Sequence, residues 1–385
     1  MGNSNYTLMH KNIPVADISV YEETGTILGI DKAHDITHLP IGVHCSDGVI
    51  DRIELNRWWR ERCIPELRAG AAELRRGFDI RSLKQLVFRC DGLCLSDCYW
   101  IRPFGSSAKW EDVNFFGNPF SHEMGDMLLG FKKPDPECDL FSPDNTTEGC
   151  LRKRWCIIDG RRCLVKAGET PYYQQPFNEV IAGMIMERLG ITHIPYTLTW
   201  QNGQPYSVCE DFITSDTELV TAWRVMQISR KPNHHNDFLH YVNLCEQNGI
   251  SDIRHRMDEM LVLDYIIANE DRHFNNFGII RNADTLEWIG AAPIFDSGTS
   301  LGYNKASDDL VKDMICKPFK KTHGEQLRLV SSFDWLDLTK LDGIENDIIE
   351  LLSKGKAVEF LGTDRPAAIS GLVRERIDRL KKYAE

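Results

Sequence analysis

Residues 260–303 read MLVLDYIIANEDRHFNNFGIIRNADTLEWIGAAPIFDSGTSLGY, and this stretch decides the fold. Leu261, Leu263, Tyr265 and Ile266 are apolar around polar Asp264 and Asn269, the pattern of a mostly buried helix ending near Ala268. A polar cluster follows: Asp271, Arg272, His273, Asn275 and Asn276. The apolar run 277–280 predicts a strand. After a polar turn, a second strand over 288–295 delivers Asp296 beside Ser297 and Gly298. One acid thus follows a helix, an amide lies five positions on, and a second acid closes a hairpin.

That layout suits a divalent metal and a phosphoryl group. Asn276 and Asp296 offer the hard oxygen ligands that Mg²⁺ prefers. Asp271 can accept a proton from, or orient, an attacking hydroxyl. Protein kinases place a metal-binding Asn five residues after the catalytic-loop Asp, and an Asp-Phe-Gly beyond it. Here the order is Asp-Arg-His instead of His-Arg-Asp, and Asp296-Ser297-Gly298 follows. The plainer alternative is that these residues are capping and turn groups around a hairpin, and the second Asp, placed at the hairpin's end, weighs against it. ANEDRHFNNFGI followed by PIFDSG resembles the catalytic core of HipA-type serine/threonine kinases, toxin-like bacterial members of the kinase superfamily. Phosphoinositide kinases share Asp-Arg-His-x-x-Asn, but the flanking Ala-Asn and Asn-Phe-Gly favour the HipA type. The resemblance implies Asp271 as catalytic acid/base and Asn276 with Asp296 as Mg²⁺ ligands. His273 is expected to brace Asp271 and the Asp296 loop, not to act as a general base.

Upstream, the order of elements fits the same scheme. WCII (155–158) and RCLVK (162–166) flank Asp159-Gly160-Arg161, a tight-turn signal, so a hairpin ends in Lys166. A helix is expected over 176–189, with Glu179 near its start, 13 residues after the lysine. In kinases a strand lysine holds the α/β-phosphates and a glutamate on the next helix orients it. The loop before the hairpin has one glycine, Gly149, so it is no Gly-x-Gly-x-x-Gly cover, but its N–H groups and the Thr146 and Thr147 hydroxyls are candidates to cradle phosphate. HipA-type kinases autophosphorylate a serine in this loop, which ejects it; Thr146 or Thr147 lies near that place. A second hairpin turns at Asn202-Gly203 and runs into Glu210-Asp211-Phe212, where a kinase-like chain passes between lobes and backbone groups bind adenine. Glu210 and Phe212 are therefore candidate nucleotide contacts. From Glu218 to Ala268 the chain reads helical, with an interruption at 231–237. Lys317, Lys320 and Lys321, past Asp296, read as a solvated loop or a group that pairs with phosphate.

The N-terminal third offers no distinctive motif to which a chemistry can be assigned, and it is placed like the accessory region of HipA-type proteins. Strands are expected within 14–30 and helix over 48–76, broken at Pro65, with Trp58, Trp59, Ile64 and Leu67 buried. Cys90, Cys94 and Cys98 recur every fourth residue, which could stack three thiols on a helix face, but no zinc pattern is completed. The aromatics of 95–131 read as core, and the Pro- and Asp-rich stretch 132–144 as a connector.

The net charge of −12 argues against a nucleic-acid surface and weakly against anionic lipid. No apolar segment approaches transmembrane length, and the first residues lack a secretory layout; Gly2 does not complete a myristoylation pattern, because Tyr6 stands where Ser or Thr is needed. A cytoplasmic protein without membrane or direct nucleic-acid contact is expected. The twelve cysteines then need form no disulfide framework. The combined expectation is an α+β, bilobal, protein-kinase-like fold with an N-terminal accessory region (1–140), a β-rich N-lobe (141–213) and a mainly helical C-lobe (214–385). It would use ATP and Mg²⁺ to phosphorylate Ser or Thr of a protein, and the resemblance adds an antitoxin-like partner. Two rivals stay open: a phosphoinositide or small-molecule kinase on the same scaffold, and a pseudokinase or toxin module acting by association.

Overall fold

The computed structural model describes residues 3–310 and 315–384. Gly2 and residues 311–314 of the stretch Asp308–Cys316 lie outside the described residues. The N-terminal third is built on an antiparallel sheet of β1 (Asn3–His10), β2 (Ile13–Tyr21), β3 (Thr26–Ala33) and β4 (Tyr99–Pro103), in the order β3-β2-β1-β4. In β2, Ile18 and Val20 point inward while Asp17 and Ser19 are only half-buried, the alternation of a strand with one covered face. Helix α1 (Arg52–Glu61) packs on β3, its first turn capped by Asp51, which accepts from the N–H groups of Ile53 and Glu54. It buries Trp58 and Trp59.

Leu67, expected inside, is 87% exposed. The helical period stops at Glu61, and Pro65 opens a turn that precedes α2 (Ala71–Gly77), so the spacing from Trp59 no longer applies. The same turn sends Arg68 inward. Cys90, Cys94 and Cys98 share no helix face. A 3₁₀ segment ends at Cys90, Asp91 is left-handed, and all three thiols are buried and free. Among the described residues no cluster of three or more His, Cys, Asp or Glu could hold a metal. Trp100, Trp110 and Phe115 form core as expected, and α3 (Glu123–Leu129) leads the chain to the next sheet.

That sheet has β5 (Lys153–Ile158), β6 (Arg161–Ala167), β7 (Thr197–Gln201) and β8 (Gln204–Glu210), ordered β5-β6-β8-β7. Both hairpins turn on residues with positive φ: Asp159 at +50° with Gly160 at +80°, and Asn202 at +49° with Gly203 at +79°. Two left-handed residues in a row match the right-handed strand twist, which is why Asp-Gly and Asn-Gly stand there. Helix α4 (Gln175–Leu189) crosses this sheet and buries Phe177, Ile181, Ile185 and Leu189 in the largest core.

The expected helix from Glu218 is instead a strand, β9 (Thr217–Thr221). Its buried residues alternate, Glu218 and Val220, and the glutamate is satisfied by partners distant in sequence, which local periodicity does not register. Helices α5 (Asp237–Gln247) and α6 (Ile253–Ile266) follow, then β10 (Gly278–Asn282) and β11 (Trp288–Ala291) in a sheet ordered β9-β10-β11. Helix α6 is buried nearly all round, the mark of a central helix. Helices α7 (Ile344–Ser353) and α8 (Arg365–Ala384) close the helical part. No described helix is long and apolar enough to cross a membrane.

Candidate active site

The site forms where β6, α4 and the turn after β11 meet. Lys166 lies next to last in β6, opposite Lys153 on β5 and Ser207 on β8. Its buried Nζ lies 2.9 Å from Glu179 Oε1 and 2.7 Å from Asp296 Oδ1, and 5.1 Å from the centre of the Tyr196 ring. The other Glu179 oxygen accepts the Ser297 N–H at 2.8 Å. One lysine and one glutamate therefore pin strand, helix and loop together. Burial alone would lower the Lys166 ammonium, but Asp296 and Glu179 hold it well above the ordinary lysine value. Burial would likewise raise Asp296, yet Lys166 and Lys153 keep its carboxyl far below the usual carboxylate range. Burial prevails at Glu179, which is raised despite Lys166. Asp296 has φ +58°, uncommon outside glycine, so surrounding contacts must hold it. Gly298 keeps that loop against α4; a Cβ there would meet the Gln175 carbonyl oxygen at 3.1 Å.

Arg272 supplies the contacts on the other side. Fully buried, it donates to Asp264 on α6 from Nε (3.0 Å) and Nη2 (3.0 Å), to the Asn276 carbonyl at 2.9 Å and to Ser297 Oγ at 3.1 Å. It also bonds the Phe295 carbonyl, next to Asp296. Thus the loop 271–276 and the loop 295–298 share one guanidinium. A backbone bond from the Glu270 N–H to the Thr299 carbonyl (3.0 Å) runs alongside. His273, expected to do this bracing, does not reach the Asp296 loop: its Nδ1 accepts the Asn275 N–H at 3.2 Å, and its Nε2 stays 3.9 Å from Asp271. The guanidinium fork spans two loops at once where one imidazole cannot. Sequence reading missed Arg272 and Asp264, although an acid inside the apolar run 260–268 was the available signal.

Asp271 is 37% exposed on its side chain, and its Oδ1 takes a 2.7 Å ion pair from Lys317. Asn276 gives its amide nitrogen to the Asp271 carbonyl oxygen at 3.1 Å, which leaves the side-chain oxygen for a cation. That oxygen and the Asp296 carboxylate are hard donors of the kind Mg²⁺ prefers.

Thr146 and Thr147 turn away from phosphate-cradling positions. Thr146 Oγ1 donates to the Leu93 and Pro143 carbonyls at 2.8 and 2.9 Å, and Thr147 Oγ1 donates to the Asp144 carbonyl at 3.0 Å. Both are buried, because a hydroxyl inside a 3₁₀ turn finds nearby carbonyls first. Gly149, at φ +84°, lies beside the Lys153 ammonium, 2.7 Å from where a Cβ would be. Lys153 was not foreseen, though the two-residue Asp-Gly turn fixes it opposite Lys166. Burial pushes it down to about 8. Two like charges across a ladder oppose each other, and the Asp296 carboxylate offsets both. Glu210 ends β8 at the surface, where its carboxylate pairs with Arg161 at 3.1 Å. Phe212 packs on Phe295 with ring centres 5.5 Å apart, one residue from Asp296.

A family model described as HipA-like C-terminal domain matches residues 151–355. The serine/threonine-protein kinase CtkA of Helicobacter pylori (strain J99) is 30% identical over 153 residues, which is 38% of this chain and 46% of that protein. The match therefore spans about half the length of that curated relative. A crystal structure of a Helicobacter pylori proinflammatory kinase CtkA is 19% identical and covers 60% of this chain and 94% of its own, with a TM-score of 0.45. A chain from the complex of the Shewanella oneidensis MR-1 toxin–antitoxin system HipA, HipB and operator DNA is 11% identical and covers 97% of both chains, with a TM-score of 0.53. That last likeness carries the α+β fold over the full length, the N-terminal region included.

Proposed function

This chain belongs to the family of HipA-like C-terminal domains, and on that premise we propose that it transfers the γ-phosphoryl group of ATP to a serine or threonine hydroxyl of a protein. The observation that carries this reading is the Lys166 ammonium within 3 Å of both Glu179 and Asp296, with Lys153 across the ladder. Lys166 would hold the α/β-phosphates, with Glu179 orienting it, and the N–H groups of the loop at Gly149 would cover them. Backbone groups from Glu210 to Phe212 would meet the adenine. Asn276 and Asp296 would hold Mg²⁺, whose charge would offset that of the phosphates. In the transfer the acceptor oxygen bonds to the γ-phosphorus as the β–γ bridge bond breaks, and Asp271 takes the hydroxyl proton. Lys317 must yield Asp271 Oδ1 to that hydroxyl. Arg272 positions both loops without touching the nucleotide. Phosphorylation of Thr146 or Thr147 on the chain itself belongs to the same proposal, and their inward hydroxyls require the loop to leave first. An antitoxin-like partner follows from the family resemblance alone.

The relative named a serine/threonine-protein kinase supports the acceptor class. The test offers labelled ATP and Mg²⁺ with protein, phosphoinositide and sugar acceptors in parallel. Label is expected on protein serine or threonine; label confined to lipid or sugar would transfer the reading to those acceptors.

A further inference from the structure

Arg68 belongs to the N-terminal third, between α1 and α2, yet its guanidinium is spent on the loop that precedes β5. Its Nε donates to the Gly149 carbonyl at 2.9 Å, Nη1 to Thr147 Oγ1 at 2.7 Å, and Nη2 to the Thr147 and Glu148 carbonyls, each at 2.7 Å. The side chain is 2% exposed. Among the described residues no carboxylate lies within ion-pair distance of it. A buried cation bonded only to neutral oxygens is costly unless an anion comes near. Burial lowers it only to about 10, so it keeps its charge at neutral pH.

The geometry on the far side of the loop supplies a place for that anion. In a peptide unit the N–H points opposite to the C=O. Three consecutive carbonyls turned to Arg68 therefore turn the N–H groups of Glu148, Gly149 and Cys150 away from it. Among the described residues those three N–H groups donate to no protein acceptor. Successive free N–H groups around a glycine at φ +84° make an anion-binding concavity. Lys153 stands beside it.

We propose that Arg68 is a positioning residue of the nucleotide site: by gathering the carbonyls of residues 147–149 it aims the N–H groups of 148–150 at the phosphates and adds buried positive charge behind them. This rests on the ATP reading and deepens it. It makes the N-terminal third part of the phosphate site, so that its seating and nucleotide affinity are linked and each strengthens the other.

The test measures ATP and adenosine affinity on the full chain, wild type against Arg68→Met, with hydrogen exchange followed over residues 142–150 and over β1–β3. Arg68→Met is expected to weaken ATP by about 10- to 100-fold, the scale of lost bonds to charged groups. Adenosine affinity should stay within about 3-fold, since it carries no phosphate. Protection should fall over 142–150 and persist over β1–β3. Equal effects on ATP and adenosine, or none on either, would overturn the role of Arg68. Should Arg68→Met fail to fold, Arg68→Lys keeps the charge but loses the fork; a selective loss of ATP is expected there too, and an equal loss of both ligands overturns the proposal. A wild-type chain that binds ATP no better than adenosine contradicts the nucleotide reading itself, whatever Arg68 does.

Discussion

Arg272 and Lys153 show how much of the site depends on side chains beside the motif acids. Replacing Arg272 with Ala leaves Asp264 buried without its cation and frees both loops. Breaking a buried pair in this way costs about 3–5 kcal/mol. Urea denaturation should register that loss, and Arg272→Lys should recover little of it, because a single ammonium cannot reproduce the fork. An unchanged midpoint would contradict the hub assigned to it. Lys153 gives a pH test. Burial places its folded value near 8, below that of an unfolded lysine, and a polyphosphate binds the protonated form. ATP affinity should therefore hold through neutral pH and fall as pH rises through about 8. Titration of ATP binding across that range should give this slope in wild type and a flat, weaker profile in Lys153→Met. The same slope in both would exclude Lys153 as its source.

At the scale of elements, legibility followed sequence distance. The Asp159-Gly160 and Asn202-Gly203 hairpins were readable because two residues fix the turn and the register. From that register Lys153 was also derivable. Strand β9 was not, because Glu218 at its centre looks solvent-seeking until its partners are known. Its Oε1 lies 2.9 Å from His10 Nε2 and accepts the Cys98 N–H at 2.8 Å, and Oε2 accepts from Arg281 Nε at 3.0 Å. These join β1, the approach to β4, and β10. Burial would raise Glu218, but Arg281 and His10 bring it down to about 2. A folded value below the unfolded one contributes stability above about pH 4.3, and that stability is lost as pH falls toward 2. Glu218→Gln should thus lower stability at pH 7 by about 3–5 kcal/mol and lose much less further stability on acidification. Denaturant midpoints at neutral and acid pH compare the two chains; parallel losses on acidification would contradict the assignment. Thr147 teaches the same lesson: its neighbours in sequence suggested a phosphate-cradling hydroxyl, and Arg68, approaching from 79 residues away, donates to that oxygen instead.

The whole molecule joins an N-terminal sheet to a kinase-like body through Arg68 on the phosphate loop, Glu218 with His10, and Arg224 with Glu61. The first was not legible beforehand, since Arg68 stands in an irregular turn and most of its targets are backbone oxygens that carry no residue signature. The order Lys166, Glu179, Asp271, Asn276, Asp296, by contrast, was legible because each of these residues stands at a fixed position relative to a readable strand, helix or hairpin. A net charge of −12 coexists with a local group of cations, Lys153 and Lys166 across the ladder and buried Arg68 on the neighbouring loop, a contrast that on the proposed function would draw an anionic nucleotide to one place. The central claim is that Asp271 serves chemistry at that site and contributes little to the fold, as its 37% exposed side chain and surface partner Lys317 suggest. The most direct measurement compares Asp271→Asn with wild type for ATP affinity and for phosphate transfer to protein serine or threonine. ATP affinity should stay within about 3-fold and transfer should fall by about 10³-fold, on the order of 4 kcal/mol. Transfer undiminished in Asp271→Asn would contradict the account.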